Sequence, residues 1–240
     1  MTLGRGTALV TGGSGGIGTP LCTSLVAAGY RVVVADLVPP RGGLDLGFVR
    51  TDVTVQESLD AAVEYATSST GRLDALFLNT GVTSESVRFD QRIDIEHYRR
   101  AVAINLDGVV FGVNAALPAL RQRGRGAIVV TASLAGMMGI PTDPVYSATK
   151  HAVVGLVRSL GSVLPRGITI NAVCPTFTDT PILAGIRARL EADGAPILAP
   201  SAVADALVAA ANTPQSGQCY FVQAGRPVGI FEFRRPPGPR

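Results

Sequence analysis

The chain of 240 residues is 47% hydrophobic and 16% charged, with 28 glycines and a net charge of +3. This composition excludes disordered and fibrous classes, and arginines scattered everywhere except Arg121, Arg123, Arg125 and the tail leave no footprint for nucleic acid. Cys22, Cys174 and Cys219 are odd in number and far apart, which fits neither a disulfide framework nor a metal site. No signal region opens the chain and no apolar run reaches the roughly 18 residues of a membrane span, so one cytoplasmic domain over residues 1–233 with a tail at 234–240 is expected.

In chain order, Thr7 to Val10 predicts a buried strand, Gly16 to Ala28 the helix after it, and Arg31 to Ala35 a second strand. Leu37 to Gly47 holds Pro39-Pro40 and Gly42-Gly43 and cannot sustain a helix, so a third strand near Phe48 to Arg50 follows almost directly. Val55 to Ser68 and Ile95 to Arg121 predict helices that lead into strands at Ala75 to Leu78 and Ala127 to Thr131. Val145 to Leu164 precedes a strand at Ile168 to Val173, and Ser201 to Asn212 precedes the last, Cys219 to Val222. This alternation defines an α/β class: a single-domain, doubly wound, mostly parallel sheet with helices on both faces.

Thr11-Gly12-Gly13-Ser14-Gly15-Gly16-Ile17-Gly18 follows the first strand and opens the first helix, the context that gives a glycine pattern meaning. Gly12 and Gly16 allow a tight turn and close approach of a pyrophosphate, Gly18 allows close helix packing, and the helix N-terminus presents free N–H groups. The Ser14 hydroxyl is a further candidate donor to phosphate. Asp36 ends the second strand about twenty residues on, where a carboxylate accepts from both ribose hydroxyls and repels a 2′-phosphate, favouring NAD over NADP.

Lys150 is the only lysine among 21 basic residues, four residues after Tyr146. On a helix that spacing puts both on one face. A unit charge about 4 Å from a phenolate contributes roughly 4 kcal/mol at an effective dielectric of about 20, about three pKa units, so a Tyr146 lowered towards neutrality is expected as general acid/base. His97 and His151 lack any metal-ligand spacing, and no metal is expected. Met137, Met138, Phe177, Ile182, Leu183 and Ile186 are open to two readings: the lining of an apolar substrate pocket, or ordinary core.

Taken together, Thr11-Gly12-x-x-x-Gly16-x-Gly18, Asp52-Val53, Asn79-Thr80-Gly81, Asn105, Ser133, Tyr146-x-x-x-Lys150 and Pro175 to Thr180 resemble the short-chain dehydrogenase/reductase family, a Rossmann fold. Ser133 to Gly136, Pro144 to Tyr146, Lys150-His151 and Asn171 to Pro175 look most similar to its hydroxyprostaglandin dehydrogenase branch. The resemblance implies an NAD-dependent enzyme interconverting a secondary alcohol and a ketone, with a small-molecule substrate. Tyr146 is then the acid/base, Ser133 the residue that bonds the substrate oxygen, Lys150 the partner of the nicotinamide ribose, and Asn105 the holder of a relay water. Asp52 and the backbone of Val53 would meet adenine, and Thr180 and the backbone of Thr178 the carboxamide. Gly12, Ser14, Gly15, Gly16, Ile17, Gly18, Asp36, Asn79, Gly81 and Pro175 would complete the cofactor site. A homodimer or homotetramer built on the Ile95 to Arg121 and Val145 to Leu164 helices is implied as well. The alternatives are an NADP-dependent ketoreductase of a biosynthetic pathway and a non-catalytic cofactor-sensing protein on the same fold.

Three departures from the family pattern stand out. Leu78-Asn79-Thr80-Gly81 replaces Asn-Asn-Ala-Gly, which puts one polar tie between strands in question. Thr176 stands where a glycine is usual and resists positive φ, so the loop after Pro175 is expected to run differently. Asp143-Pro144 reads as an N-cap and first helical residue, with a substrate contact as the other role for Asp143.

Overall fold

The structure is a computed structural model that describes residues 6–68, 70–84 and 93–234. Of the expected tail, only Arg234 falls within that set. The chain begins with strand β1 (Thr7–Thr11), helix α1 (Gly18–Ala27), and strands β2 (Arg31–Asp36) and β3 (Gly47–Arg50). Helix α2 (Gln56–Ser68) and strand β4 (Ala75–Leu78) follow, then α3 (Ile95–Val102), a π-helical turn at Ala103–Asp107, and α4 (Gly108–Arg123). Strand β5 (Gly126–Thr131), helix α5 (Pro144–Leu160), strand β6 (Ile168–Pro175), the short helix α6 (Arg187–Ala192), helix α7 (Pro200–Ala211) and strands β7 (Cys219–Val222) and β8 (Gly229–Ile230) complete it.

The eight strands form one sheet in the order β3-β2-β1-β4-β5-β6-β7-β8, parallel except for β8. No helix separates β2 from β3, as the proline and glycine pairs between them dictate. Alternate residues of each strand face opposite sides. Leu9, Val33, Leu76, Ile128 and Ile170 pack with Val113, Ala116, Val153 and Val157 of α4 and α5 on one side. Ala8, Val10, Val34, Phe77 and Val129 pack with Leu21, Leu25, Val203 and Leu207 of α1 and α7 on the other. Burial on both faces is why the strands read as unbroken apolar runs.

β1 pairs with β2 on one side and β4 on the other. The direction of winding reverses there, which opens a crevice beyond the carboxyl ends of the strands where such sheets take ligands.

Two expectations are corrected. The helix predicted over Ile95 to Arg121 is interrupted by the π turn, whose one extra residue per turn rotates Asn105 into full burial. The stretch Ile95–Arg123 also has the length and apolar character to cross a membrane, contrary to the expectation from continuous runs. Its Val109, Val113, Ala116 and Leu120 are buried in this fold, a core helix's arrangement. The two-residue β8 and the one-turn elements around Pro181–Leu183 are too short to leave a periodic signal.

Candidate active site

The glycine turn closes on itself. Gly12 has φ +63°, donates to the Ala35 carbonyl at 2.9 Å, and accepts from Gly15 N–H at 3.1 Å. A Cβ at Gly18 would lie 2.0 Å from the Gly12 carbonyl, and one at Gly16 would lie 2.7 Å from Thr180 Cγ2. Side chains at these positions would therefore break the turn or block the narrow approach of the loop after β6. Ile17 opens α1 without a side-chain cap. Thr19 N–H is taken by the Gly15 carbonyl at 3.0 Å and Pro20 has no N–H, so the Ile17 and Gly18 N–H groups are the ones placed to meet an anion.

Asp36 holds this turn from the next strand. Its carboxylate accepts from Ser14 N–H at 3.0 Å and Val38 N–H at 3.3 Å. The Ser14 hydroxyl donates to the Val38 carbonyl at 2.8 Å, a tie between the turn and the loop after β2. Asp52, exposed after β3, accepts from the N–H and hydroxyl of Thr54 at 2.9 and 2.7 Å and turns the chain into α2. Val53 is buried against Gly108, where a Cβ would come within 3.1 Å.

Asn79 supplies the polar tie that its neighbourhood put in question. Its N–H donates to Thr11 Oγ1 at 3.0 Å, its amide to the Gly12 carbonyl at 3.2 Å, and its Oδ1 accepts from Thr131 Oγ1 at 2.9 Å. One side chain thus joins the ends of β1, β4 and β5. Gly81 leaves no room for more, since a Cβ there would meet Lys150 Nζ at 3.3 Å and Asn105 Oδ1 at 3.4 Å.

The four expected catalytic residues come together beyond β4 and β5. Asn105 exchanges two bonds with the Val82 main chain, at 2.9 and 2.8 Å, and donates to Thr149 Oγ1 at 3.1 Å. Ser133 has extended backbone just after β5 and accepts from Ala135 N–H. Lys150 is 4% exposed and donates to the Thr131 carbonyl at 3.0 Å, with its Nζ 5.6 Å from the Tyr146 ring centre.

Burial raises the Tyr146 phenol above its ordinary value; the neighbouring Ser133 hydroxyl pulls it down, and the Asp143 charge pushes it up again. Burial also lowers Lys150 to about 8, against a small opposing contribution from Cys174. The expected depression of Tyr146 is therefore reversed in the protein alone. Spacing brought the two groups together, but both share a poorly solvated site that disfavours either charge.

Asp143 caps α5. It accepts from Tyr146 N–H at 3.0 Å, from Ser84 N–H at 3.1 Å and from the Ser84 hydroxyl. These three protein donors show the capping role. Thr176 extends the sheet ladder, donating to the Val222 carbonyl at 3.0 Å. The loop then turns beyond Pro175 through Thr178, which bridges to Leu198, and Thr180, which faces Gly16. Met138, Phe177, Ile182 and Ile186 are exposed on the segments after β5 and β6, whereas Leu183 is buried and Met137 packs on the core. His151 is an exposed α5 residue bonded to the Ser147 carbonyl, and no group of three metal-binding side chains occurs among the described residues. Ser84, Thr149 and the Thr131 carbonyl went unrecognised in the sequence, because each matters only through a fold-made neighbour.

This fold and site define a dinucleotide-dependent oxidoreductase. The family profile described as short chain dehydrogenase matches residues 6–191, and the chain belongs to that family. It is 35% identical over 189 residues to cyclohexanol dehydrogenase of Acinetobacter sp. (strain SE19), covering 74% of each chain. It is 35% identical over 195 residues to cis-4-hydroxycyclohexanecarboxylate dehydrogenase of Sinomonas cyclohexanicum, covering 77% of this chain and 78% of that one. A solved short-chain type dehydrogenase/reductase from Mycobacterium ulcerans superposes with a TM-score of 0.85 at 25% identity, over 94% of this chain and 90% of the other. The chain is accordingly an enzyme, an oxidoreductase of a family that uses nicotinamide cofactors. The Acinetobacter and Sinomonas relatives are named for ring alcohols rather than prostaglandins.

Proposed function

We propose that the protein is an NAD-dependent dehydrogenase that interconverts a ring secondary alcohol and its ketone, with Tyr146 as general acid/base. The observation that carries this reading is the meeting of Tyr146, Ser133, Lys150 and Asn105 beside a glycine turn that Asp36 anchors. The names of the two relatives support ring alcohols as the substrate class. Exposed Met138, Phe177 and Ile182 support an apolar substrate, and are taken here as the rim of its pocket. The narrower resemblance to the prostaglandin branch contributes nothing to this choice.

The glycine turn, the uncapped start of α1 and Asp36 fit the pyrophosphate and adenosine ribose of NAD. Bound nicotinamide would supply the acceptor for the hydride and, when oxidised, a positive charge. Ser133 then holds the substrate oxygen, and Tyr146 as phenolate takes its hydroxyl proton while the carbinol hydride departs and the carbonyl forms. Lys150, with a pKa of about 8, is charged at neutral pH and stabilises that phenolate. In reduction the phenol returns the proton, and its raised pKa in the protein alone suits that direction.

Cytoplasmic residence is part of the proposal, supported by three buried free cysteines. So is a homo-oligomer built on α3, α4 and α5. The test is absorbance at 340 nm with NAD or NADP and a panel of ring and open-chain secondary alcohols. NAD-dependent oxidation of ring alcohols is expected. A tenfold preference for NADP would favour the ketoreductase alternative, and cofactor binding without turnover would favour the sensor.

A further inference from the structure

Thr80 carries a hydroxyl that is shielded from solvent and has no hydrogen-bond partner among the described residues. Its main-chain N–H is satisfied by Thr11 Oγ1 at 3.3 Å, so the orphan is the side chain alone. Folded proteins leave few such groups unpaired, because a buried hydroxyl without a partner costs free energy that folding does not recover. The other two buried orphans lie apart from the crevice: Tyr30 Oη before β2, and Arg123 Nε, which faces the Asp74 carboxylate at 3.5 Å.

The position of Thr80 is specific. It stands just beyond β4, on the side that meets β1, and its Oγ1 lies 3.0 Å from where a Cβ at Gly12 would be. With Thr11, Val53, Leu78, Ile104, Gly108 and Val109 it lines a small, narrow recess beside the end of β4. Val53, Ile104 and Gly108 offer that recess no side-chain polar group. One residue further, Gly81 adjoins Lys150 and Asn105, so Thr80 sits on the glycine-turn side of the catalytic group, towards Asp36.

We infer that the Thr80 hydroxyl donates a hydrogen bond to the adenosine half of the bound dinucleotide, an interaction that alanine in the family pattern cannot make. The inference rests on the dinucleotide reading above and assigns this chain one additional cofactor-binding side chain. Binding would then relieve a polar group that the folded protein leaves unpaired.

Thr80→Val removes the hydroxyl and keeps the shape. Calorimetric titration with NAD and with ADP-ribose should give dissociation constants about five- to tenfold weaker than wild type for both. Thr80→Ser should stay within about twofold. The ligand-free valine variant should melt no lower than wild type, because no protein hydrogen bond is lost. Unchanged affinity for both ligands in Thr80→Val would overturn the inference while leaving the dinucleotide reading intact. A lowered melting temperature of that ligand-free variant would also overturn it, by revealing a partner within the protein. A wild-type protein that binds neither NAD, NADP nor ADP-ribose would remove the dinucleotide reading and this inference with it.

Discussion

Tyr146 donates its main-chain N–H to the Asp143 carboxylate at 3.0 Å, and that carboxylate also receives both donors of Ser84. The cap of the catalytic helix is thus a fixed negative charge beside the phenol. Asp143, Ser133, Lys150 and Cys174 are the groups that bear on Tyr146 from α5, the end of β5 and β6. Asp143→Asn should move the pH midpoint of alcohol oxidation downwards, because the phenolate loses a like charge. Ser133→Ala should move it upwards on the activity that remains, because the phenolate loses a stabilising hydroxyl. Profiles of kcat/KM against pH check both directions; shifts in the same direction would contradict the assignment. Asp143→Asn should also cost about 1–3 kcal/mol in urea unfolding, since an amide NH2 opposes the Ser84 N–H.

Lys150 gives a pH signature in stability. Its pKa falls from 10.5 to about 8 on folding, so between these values the unfolded chain holds more protons. Its contribution to stability therefore rises with pH through that window. The full span is about 3 kcal/mol by linkage. Lys150→Met should lose this rise, and comparison of urea midpoints at pH 7 and 10 checks it.

The same residue separates charge from shape. Lys150→Arg keeps a cation but brings a planar fork to a buried site so close to Gly81 that a single added Cβ there would lie 3.3 Å from the ammonium. Turnover should fall at least about tenfold. Near-wild-type kcat in steady-state kinetics would show that any cation serves.

Asp36 has two tasks. It faces the ribose end of the proposed cofactor site and also fixes the turn through Ser14 N–H and Val38 N–H. Asp36→Ala should therefore weaken NAD use by at least about tenfold, or about 1.4 kcal/mol, with little gain for NADP. A clean exchange of preference would mean that the carboxylate acts only by charge. The kcat/KM values for both cofactors distinguish these outcomes.

The sheet was legible because strands buried on both faces must be apolar and β-branched, and the missing helix after Asp36 because two prolines and two glycines forbid one. Tyr146, Lys150, Ser133 and Asn105 were legible as spacings within a family pattern. The π turn was not, since its composition is that of any helix and its geometry is locked by Asn105 against the main chain of Val82. The direction of the Tyr146 shift was hidden for a related reason. A four-residue spacing gives proximity to Lys150, but desolvation depends on everything the fold packs around both groups. The tie of the Ser14 hydroxyl to Val38 was not legible because its acceptor is 24 residues away and reaches it only once β1 and β2 have paired.

The central claim is that the Tyr146 phenol moves the proton while other groups hold the cofactor. It is tested most directly by Tyr146→Phe, measured both by NAD titration and by 340 nm turnover of a ring alcohol that the wild type oxidises. Binding within a few-fold of wild type and turnover reduced by about a hundredfold or more are predicted. Normal turnover in the phenylalanine variant would contradict the account.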